Sequence, residues 1–341
     1  METSPQVERS VPTAQDYADA AVRPNTKKAY AGGVAHFERW GGFLPAEVNM
    51  VRDYLADHAS TQSISTLELR LAAVSNWHKR FGFPDPTKSV DVRSVMSGIR
   101  ALHARPQKQA KVLDVQTVMA VANHLGRRIA AARASADRLA EMHSSRDRAI
   151  LLLGFWRGLR MDEIAKLRIE HVSFSDAGLT IMIGGAKTSA NGEFSRHDYT
   201  PIEGLCPVEA TRHWSALICK DSGPLFSKID RWGAVSDKPL GSNSLAPLLR
   251  AMLEDAGVAG AADYSGHSLR RGLATYATSC NMTLKEVMQL VGWKDPKSAL
   301  RYQSTTSAAI ADKLKSGIRE IQPEAPLDQK PAKPVLVWQS A

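Results

Sequence analysis

The residues best suited to chemistry are one tyrosine and several cationic side chains at the joints between predicted elements. Tyr302 lies in the segment GWKDPKSALRYQ (292–303), where Asp295 and Pro296 predict the start of a helix. Most tyrosines on such helices pack against a core and expose only the hydroxyl. Because a free phenol has a pKa of about 10, Tyr302 could act as a nucleophile only beside suitable neighbours. The residues around Tyr302 therefore determine whether it is a packing residue or a nucleophile.

Four cationic residues could provide that environment. Arg160 lies at a turn, Lys187 follows a predicted strand, and His267 and Arg270 open a helix, where anions bind. Two guanidiniums can bind the non-bridging oxygens of a phosphodiester and stabilise a pentavalent transition state. The histidine can donate to the same oxygens or accept the phenol proton, and the lysine can protonate a leaving alkoxide. The set predicts a phosphodiester as the substrate and Tyr302 as the nucleophile.

A larger unit from Leu113 onward must position these residues. The run DRAILLLGFWRGL (147–159) predicts a buried central helix, and MDEIAKLRIEHV (161–172) predicts a second helix with acidic residues in its first turn. GLTIMIGG (178–185) and HDYTPI (197–202) predict a hairpin whose loop carries Lys187. Helices then resume, one with a capping box of Thr283 and Glu286. Trp293 follows that helix, and its indole N–H is a further donor.

The region from Ala14 to Arg105 predicts a bundle of four or five helices, because apolar residues recur there every three or four positions. These apolar stripes include Tyr30, Val34, Phe37 and Trp40; Val48, Val51, Tyr54 and Leu55; Leu67, Leu71, Val74 and Trp77; and Val92, Val95, Met96 and Ile99. The predicted organisation is a flexible N-terminus (1–13), the helical bundle (14–105), a basic linker (106–112), the larger catalytic unit (113–320) and a Pro-rich tail (321–341).

The composition favours a polyanionic partner and argues against several other classes. The formal net charge is +9, and residues 60–112 hold nine Lys or Arg against three Asp or Glu. Lysine and arginine that neutralise phosphates release counterions, so this balance is typical of DNA-binding proteins. The cysteines, Cys206, Cys219 and Cys280, have no metal-ligand spacing. No apolar run is long enough to span a membrane and no signal-like segment opens the chain, so we expect a cytoplasmic protein.

Three motifs together resemble those of the tyrosine recombinases, also called phage integrases. GLRMDEIAKLR resembles the first box, with Arg160 and Glu163 at its motif positions, and HSLRRGLAT resembles the second, with His267 and Arg270. LVGWKDPKSALRY resembles the region that usually reads Leu-Gly-His and ends in the nucleophile, with Trp293 in place of that histidine as in Cre-like members. Tyr302 follows His267 by 35 residues, which is the family spacing.

The resemblance implies a fold and a reaction. The fold is mainly α, with a SAM-like helical bundle and a catalytic domain that contains a small β-hairpin or sheet, and the two domains form a C-shaped clamp on duplex DNA. Tyr302 would attack a phosphodiester to form a 3′-phosphotyrosine, using no metal, ATP, cofactor or small-molecule substrate. Glu163 would brace an arginine or cap its helix. Four protomers would exchange strands at inverted-repeat sites through a Holliday junction, linked by the helix at 306–319 or by the VLVW segment of the tail.

The resemblance also nominates DNA-contact residues, since helices starting near Thr26 and Ser65 have family precedent for entering the major groove. The candidates are Lys27, Lys28, Arg70, Asn76, Lys108, Lys111, Ser242, Asn243 and Arg250. Some of these side chains would contact only phosphates, which position the protein but do not specify the sequence. Arg271 would act as a backbone clamp or lie in solvent.

Several alternatives remain. Arg196 and His197 are second choices for the role of Lys187, and Tyr199, Tyr264 and Tyr276 are rival nucleophiles without the helix and spacing of Tyr302. A type IB topoisomerase-like enzyme would use the same chemistry without a partner strand. A non-catalytic DNA-binding relative would have no reason to keep the full set of residues.

Overall fold

The computed structural model describes residues 21–105, 110–184 and 194–300, together with Thr13 and Tyr17. The chain divides into two compact units, Met1–Lys108 and Gln109–Ala341, which we call unit 1 and unit 2. The expected fold class is confirmed: the described residues are mainly helical, with small antiparallel sheets in unit 2. None of the described helices is both long and apolar enough to cross a bilayer.

Unit 1 is a helical bundle built on the apolar stripes that the sequence predicts. Its described helices are α1 (Pro24–Trp40), α2 (Val48–His58), α3 (Ile64–Arg80) and α4 (Val90–Leu102), with a 3₁₀ turn at Pro86–Lys88. Phe37, Tyr54, Leu55 and Leu67 are fully buried in its core. Ser63 and Ser89 accept hydrogen bonds from the first turns of α3 and α4, so these two helices begin at side-chain caps.

A buried histidine holds the α1–α2 connection of unit 1. His78 is fully buried, and its Nε2 accepts the backbone N–H of Ala46 at 2.9 Å. Its Nδ1 lies 2.8 Å from the carbonyl oxygen of Val74 and must therefore carry the proton. Both ring nitrogens are satisfied, so this histidine has a structural role in the bundle.

Unit 2 surrounds one buried helix. Its elements in chain order are α5 (Val115–Ala134), α6 (Arg138–Trp156), α7 (Met161–Ala165), β1 (Val172–Ser175), β2 (Gly178–Ile183), β3 (Ser195–Tyr199), α8 (Pro207–Ile218), β4 (Ser227–Ile229), β5 (Val235–Pro239), α9 (Ser242–Asp255), α10 (Gly266–Ser279), α11 (Leu284–Val291) and α12 (Pro296–Leu300). Residues 149–155 of α6 are all buried, as the continuous apolar run predicts. Helices α5 and α8 pack on α6.

The strands form two antiparallel sheets. One has the order β1-β2-β3, with Ile181 opposite Val172 on one side and His197 on the other. Leu179, Ile181 and Ile183 alternate toward the core, which fixes the register of β2. The second sheet is the hairpin of β4 and β5.

The predicted helix at 161–172 is wrong in its extent, and the hairpin is larger than expected. Helix α7 ends at Ala165, and residues 169–175 form a 3₁₀ turn and strand β1. The backbone leaves the helix because it pairs with a distant segment: Leu225 donates to the carbonyl of Leu167 at 2.8 Å, and Ile169 donates to that of Gly223 at 2.9 Å. Long-range pairing here overrides the helical spacing of Ile164 and Leu167.

Candidate active site

Arg160 is fixed at the start of α7 by a carboxylate one turn later. Its backbone N–H donates to Oε2 of Glu163 at 2.7 Å, so Glu163 caps the helix. Its guanidinium Nη1 donates to Oε1 of the same side chain at 2.5 Å. The side chain of Arg160 is 30% exposed and that of Glu163 is 13% exposed. The guanidinium is therefore held in place while it stays accessible to a ligand.

The same carboxylate reaches a second arginine, on α10. Nη1 of Arg270 lies 3.5 Å from Oε2 of Glu163, and Nη2 donates to the carbonyl oxygen of Val291 at 2.6 Å. The Arg270 side chain is only 7% exposed. Glu163 thus joins two guanidiniums that are 110 positions apart in the sequence. One negative charge between two positive charges leaves a surplus that suits an anionic ligand.

Gly158 permits the close approach of the turn between α6 and α7 to helix α10. Gly158 has a φ of +52°, a left-handed conformation that other residues adopt at a cost. A Cβ atom at this position would lie 3.1 Å from Cγ of Arg270 and 3.3 Å from Cγ1 of Val291. The turn between α6 and α7 therefore passes directly over α10, which brings Arg160 close to Arg270.

The first described residues of unit 2, 110–113, are hydrogen-bonded to α10, and we call them the entry segment. Arg271 donates through Nη1 to the carbonyl of Ala110, and the N–H of Leu113 donates to the carbonyl of Ser268 at 3.3 Å. Only glycine at position 272 permits this close contact between the entry segment and α10, because a Cβ atom there would lie 1.8 Å from the carbonyl oxygen of Leu113. Arg271 thus contacts protein backbone within its own unit.

His267 and Trp293 lie at the two ends of the helical pair α10–α11. Ser265 caps α10 by accepting the N–H of His267 at 3.2 Å, and the imidazole of His267 is exposed. Trp293 follows Gly292, which ends α11 in the left-handed conformation. Trp293 is partly buried against the small cluster that α10 and α11 share. Both residues therefore lie at the ends of the helical pair to which α10, the helix of Arg270, belongs.

Two of the rival tyrosines are buried in the fold, and the third, Tyr276, is partly buried. Tyr199 is buried, and its hydroxyl donates to the carbonyl of Leu153 at 3.2 Å. Burial raises the pKa of Tyr199 far above its ordinary value, so its phenolate is disfavoured. Tyr264 is also buried, and a hydrogen bond with Cys280 raises the pKa of Tyr276. The described surroundings of these three tyrosines therefore favour structural roles over a nucleophilic one.

His197 on β3 lies within electrostatic reach of the arginine pair. Burial lowers its pKa, and the charge of Arg157 adds to this. Glu163 opposes the shift, and Arg270 strengthens it. The Nε2 atom of His197 is hydrogen-bonded to Oγ of Ser195 at 3.0 Å. Its companion candidate, Arg196, points to Asp198 and is exposed. Because burial leaves His197 neutral near pH 7, it can act there as a hydrogen-bond partner.

Three predicted residues lie outside the described residues: Lys187, Tyr302 and Lys108. Lys187 belongs to the connection between β2 and β3, and Tyr302 follows α12 by two positions. Their roles stay predictions.

The nominated DNA contacts fall into an exposed group and a bound group. Lys27, Lys28, Asn76 and Asn243 are exposed, and Ser242 is half-buried at the start of α9. Arg70 is half-buried beside Tyr54. Arg250 donates to the carbonyl of Tyr264 at 2.8 Å, and Lys111 donates to that of Ala259 at 3.2 Å. Arg70, Arg250 and Lys111 thus have partners inside their own units, which the charge pattern of the sequence could not reveal.

Comparisons with known proteins identify the family of the chain. The profile of the phage integrase family matches residues 127–308. An integrase/recombinase XerD homologue of Selenomonas ruminantium is 27% identical over 290 residues, with 82% of this chain and 81% of that protein covered. The recombinase Cre of Escherichia phage P1 is 26% identical over 282 residues, with 76% of each covered.

A solved structure of a recombinase has a similar fold. The XerH site-specific recombinase, in a post-cleavage complex with a palindromic difH substrate, superposes with a TM-score of 0.57 at 14% identity. The match covers 86% of this chain and 78% of that one. With the family profile spanning more than half of the chain, the chain belongs to the phage integrase family of tyrosine recombinases, the enzymes of site-specific DNA recombination.

Proposed function

We propose that this protein cleaves and rejoins duplex DNA at a specific inverted-repeat site, with Tyr302 as the nucleophile. The phenol oxygen attacks the phosphorus, a 3′-phosphotyrosine forms, and the 5′ oxygen leaves as a hydroxyl. The energy of the broken bond is kept in the phosphotyrosine, so rejoining to a partner strand needs neither ATP nor metal. We further propose that the protein acts in the cytoplasm on nucleoid DNA.

The observation that carries this proposal is the Arg160–Glu163–Arg270 arrangement. The two guanidiniums are held by one carboxylate, at 2.5 Å and 3.5 Å. A phosphodiester gains charge on its non-bridging oxygens as it becomes pentavalent, and two fixed guanidiniums stabilise that charge without reorganisation. Glu163 is a positioning residue in this scheme, since it contacts the arginines and not the scissile phosphate.

The remaining roles follow from chemistry. His267 donates to the phosphate or accepts the proton of Tyr302, and it is exposed at the N-terminus of α10, where the helix dipole favours an anion. Trp293 supplies an indole N–H donor. Lys187 protonates the leaving 5′ oxygen. DNA contacts at Lys27, Lys28, Asn76, Ser242 and Asn243 hold the duplex against the site.

We also propose a homotetramer on two synapsed sites, with strands exchanged through a Holliday junction. In support, unit 2 has an apolar cavity of about 240 Å³ lined by residues of α6, β3, α10 and α11. Ile202, Leu273, Ala277 and Leu290 provide much of its wall. An apolar segment of a neighbouring protomer would fit there, and residues 306–319 are our candidate, with VLVW (335–338) second.

The test is covalent capture. The protein is mixed with fragmented DNA from its own source and quenched with detergent, and DNA attached to protein is recovered and sequenced. Tyr302→Phe is run in parallel, with Tyr276→Phe as the matched control. We expect adducts at one inverted-repeat site that vanish in Tyr302→Phe and persist in Tyr276→Phe.

Other outcomes would contradict the proposal. Adducts scattered without site preference would indicate a topoisomerase-like enzyme, and adducts that survive in Tyr302→Phe would mean a different nucleophile. Specific binding with no adduct, even on a nicked substrate that traps the intermediate, would indicate a non-catalytic DNA-binding relative.

A further inference from the structure

The turn of the second hairpin in unit 2 presents a tryptophan to solvent. Trp232 lies between β4 and β5 and is 80% exposed, the highest value among the aromatic side chains that the structure describes. We call residues 230–234 the hairpin tip. An indole this exposed offers a large, flat apolar surface to a partner.

The hairpin tip is a fixed structure. Oδ1 of Asp230 accepts the N–H groups of Trp232 and Ala234, both at 2.8 Å. The N–H of Asp230 donates to the carbonyl of Ala234 at 3.0 Å, and that of Gly233 donates to the carbonyl of Asp230 at 3.1 Å. A turn held by four hydrogen bonds loses little further entropy when its side chains bind a partner.

The charges around the tip suit a polyanion. The guanidinium carbon of Arg231 lies 4.7 Å from the centre of the Trp232 ring, and Arg231 is exposed. Lys228 and Lys238, on the flanking strands, are exposed too. Of the two carboxylates here, Asp230 accepts backbone N–H groups and Asp237 is bound by Lys220 at 2.8 Å. The tip therefore combines a cation and an aromatic face, which is the chemistry that stacks on and neutralises nucleic acid.

The position of the tip relative to α9 favours one groove of the DNA. Strand β5 runs from the tip to Pro239, and α9 begins at Ser242. A five-residue strand spans roughly 15 Å. Half of a DNA helical repeat, the distance from a major groove to the next minor groove, is about 17 Å. If the start of α9 lies at a major groove, the tip reaches the neighbouring minor groove.

We propose that the hairpin tip enters the minor groove of bound duplex DNA, with Trp232 as a wedge against a base step and Arg231 on the groove's phosphates. The inference rests on the proposed function, since it takes α9 as a DNA-contacting helix. A wedge partly unstacks a base step, and TA steps unstack more easily than A-tracts. Trp232 would thus make binding depend on the deformability of the site as well as on its base edges.

The test uses the full chain and two 30-base-pair duplexes that share the bases of the captured site and have equal A·T content elsewhere, one rich in TA steps and one made of A-tracts. Dissociation constants and end-to-end energy transfer are measured for the wild type, Trp232→Ala and Phe174→Ala. Phe174 is the matched control, because it is also exposed and has the guanidinium carbon of Arg212 5.3 Å from its ring centre. We expect the wild type to bind and bend the TA-rich duplex preferentially, and Trp232→Ala to lose that preference and about tenfold in affinity.

Three outcomes would overturn the inference. In the first, Trp232→Ala binds and bends both duplexes as the wild type does, so the indole contributes nothing to DNA binding. The variant could keep its DNA binding and change the oligomeric state in light scattering, which would make the tip a protein contact. Equal losses in Phe174→Ala would mean that any exposed aromatic residue has this effect. Failure of the wild type to bind either duplex, or to form adducts in the capture experiment, would instead contradict the proposed function itself.

Discussion

Unit 1 and unit 2 hold their positive charges in different ways. In unit 2, Arg270 is nearly buried and is bonded to Glu163 and to the carbonyl of Val291. In unit 1, Lys27 and Lys28 are exposed, and Lys79 is 62% exposed with the carboxylate of Asp85 at 3.7 Å. A fixed guanidinium can stabilise charge at one point, whereas an exposed lysine attracts phosphate anywhere along a backbone. Substitutions in unit 2 should therefore lower the rate of DNA cleavage, and substitutions in unit 1 should weaken DNA binding.

The largest effect is expected for Arg270→Lys. A lysine keeps the charge but cannot contact Glu163, Val291 and a phosphate together, because it lacks the planar fork. Loss of one transition-state donor typically costs about 10²–10³ in rate, and we expect a fall of this size in single-turnover cleavage of a nicked substrate that carries the captured site. Arg271→Lys is the matched control and should cleave near the wild-type rate. Equal losses in the two variants would mean that position 270 has only a structural role.

Glu163→Gln should have the next largest effect. The amide keeps the shape and can still accept the backbone N–H of Arg160, but it loses the charge that holds both guanidiniums. We expect cleavage to slow by roughly 10–100-fold while the dissociation constant for DNA stays the same. Glu163→Asp, which restores the charge on a shorter side chain, should recover part of the rate. A change in DNA affinity without a change in cleavage rate would contradict the positioning role.

In unit 1 we expect a moderate loss of DNA affinity that grows with each lysine removed. The double variant Lys27→Ala, Lys28→Ala should weaken binding to every DNA sequence alike. The slope of log affinity against log salt should decrease by about one for each phosphate that is no longer neutralised, or about two in total. Lys285 on α11 is exposed and is not among the predicted DNA contacts, so Lys285→Ala should leave the slope unchanged. Weaker binding confined to particular sequences would show instead that these lysines read bases.

The smallest effect concerns acid stability. Burial lowers the pKa of His143, His197 and His213 in unit 2 and, with less burial, of His36 in unit 1. A histidine with a lowered pKa binds fewer protons when folded than when unfolded. Its stabilisation is therefore complete above the unfolded pKa of about 6.5 and is lost as the pH falls below that value. We expect Tm to fall by a few degrees, roughly 2–5 °C, between pH 7 and pH 5.5, and more steeply for unit 2.

Asp147 works in the opposite direction, because its burial raises its pKa. His197→Gln separates the two contributions, since it removes one histidine and leaves Asp147 unchanged. Its Tm should depend less on pH than that of the wild type over the same range. An unchanged pH dependence would mean that His197 is solvated more than its position on β3 indicates.

Local patterns predicted much of the molecule. The apolar run in α6 and the stripes of unit 1 required only the helical period, and the motif spacing placed Arg160 beside Glu163 at a turn. The contact from Glu163 to Arg270 depends on how α10 packs, so only the resemblance to a family brought these residues together in advance. The end of α7 at Ala165 and the inward position of Arg70 both arise from long-range contacts. The hairpin tip was missed because its strands are polar and lack alternation.

The entry segment has a mechanical consequence. Its hydrogen bonds to the carbonyl of Ser268 and from the side chain of Arg271 join the beginning of unit 2 to the helix that carries His267 and Arg270. Tension applied to the chain at Ala110 is therefore transmitted to α10 as well as to the core around α6, in which Leu113 is buried. Under the proposed mechanism, a load on the connection between the units would act on the helix of Arg270, so the strength with which unit 1 binds DNA would affect the alignment of His267 and Arg270.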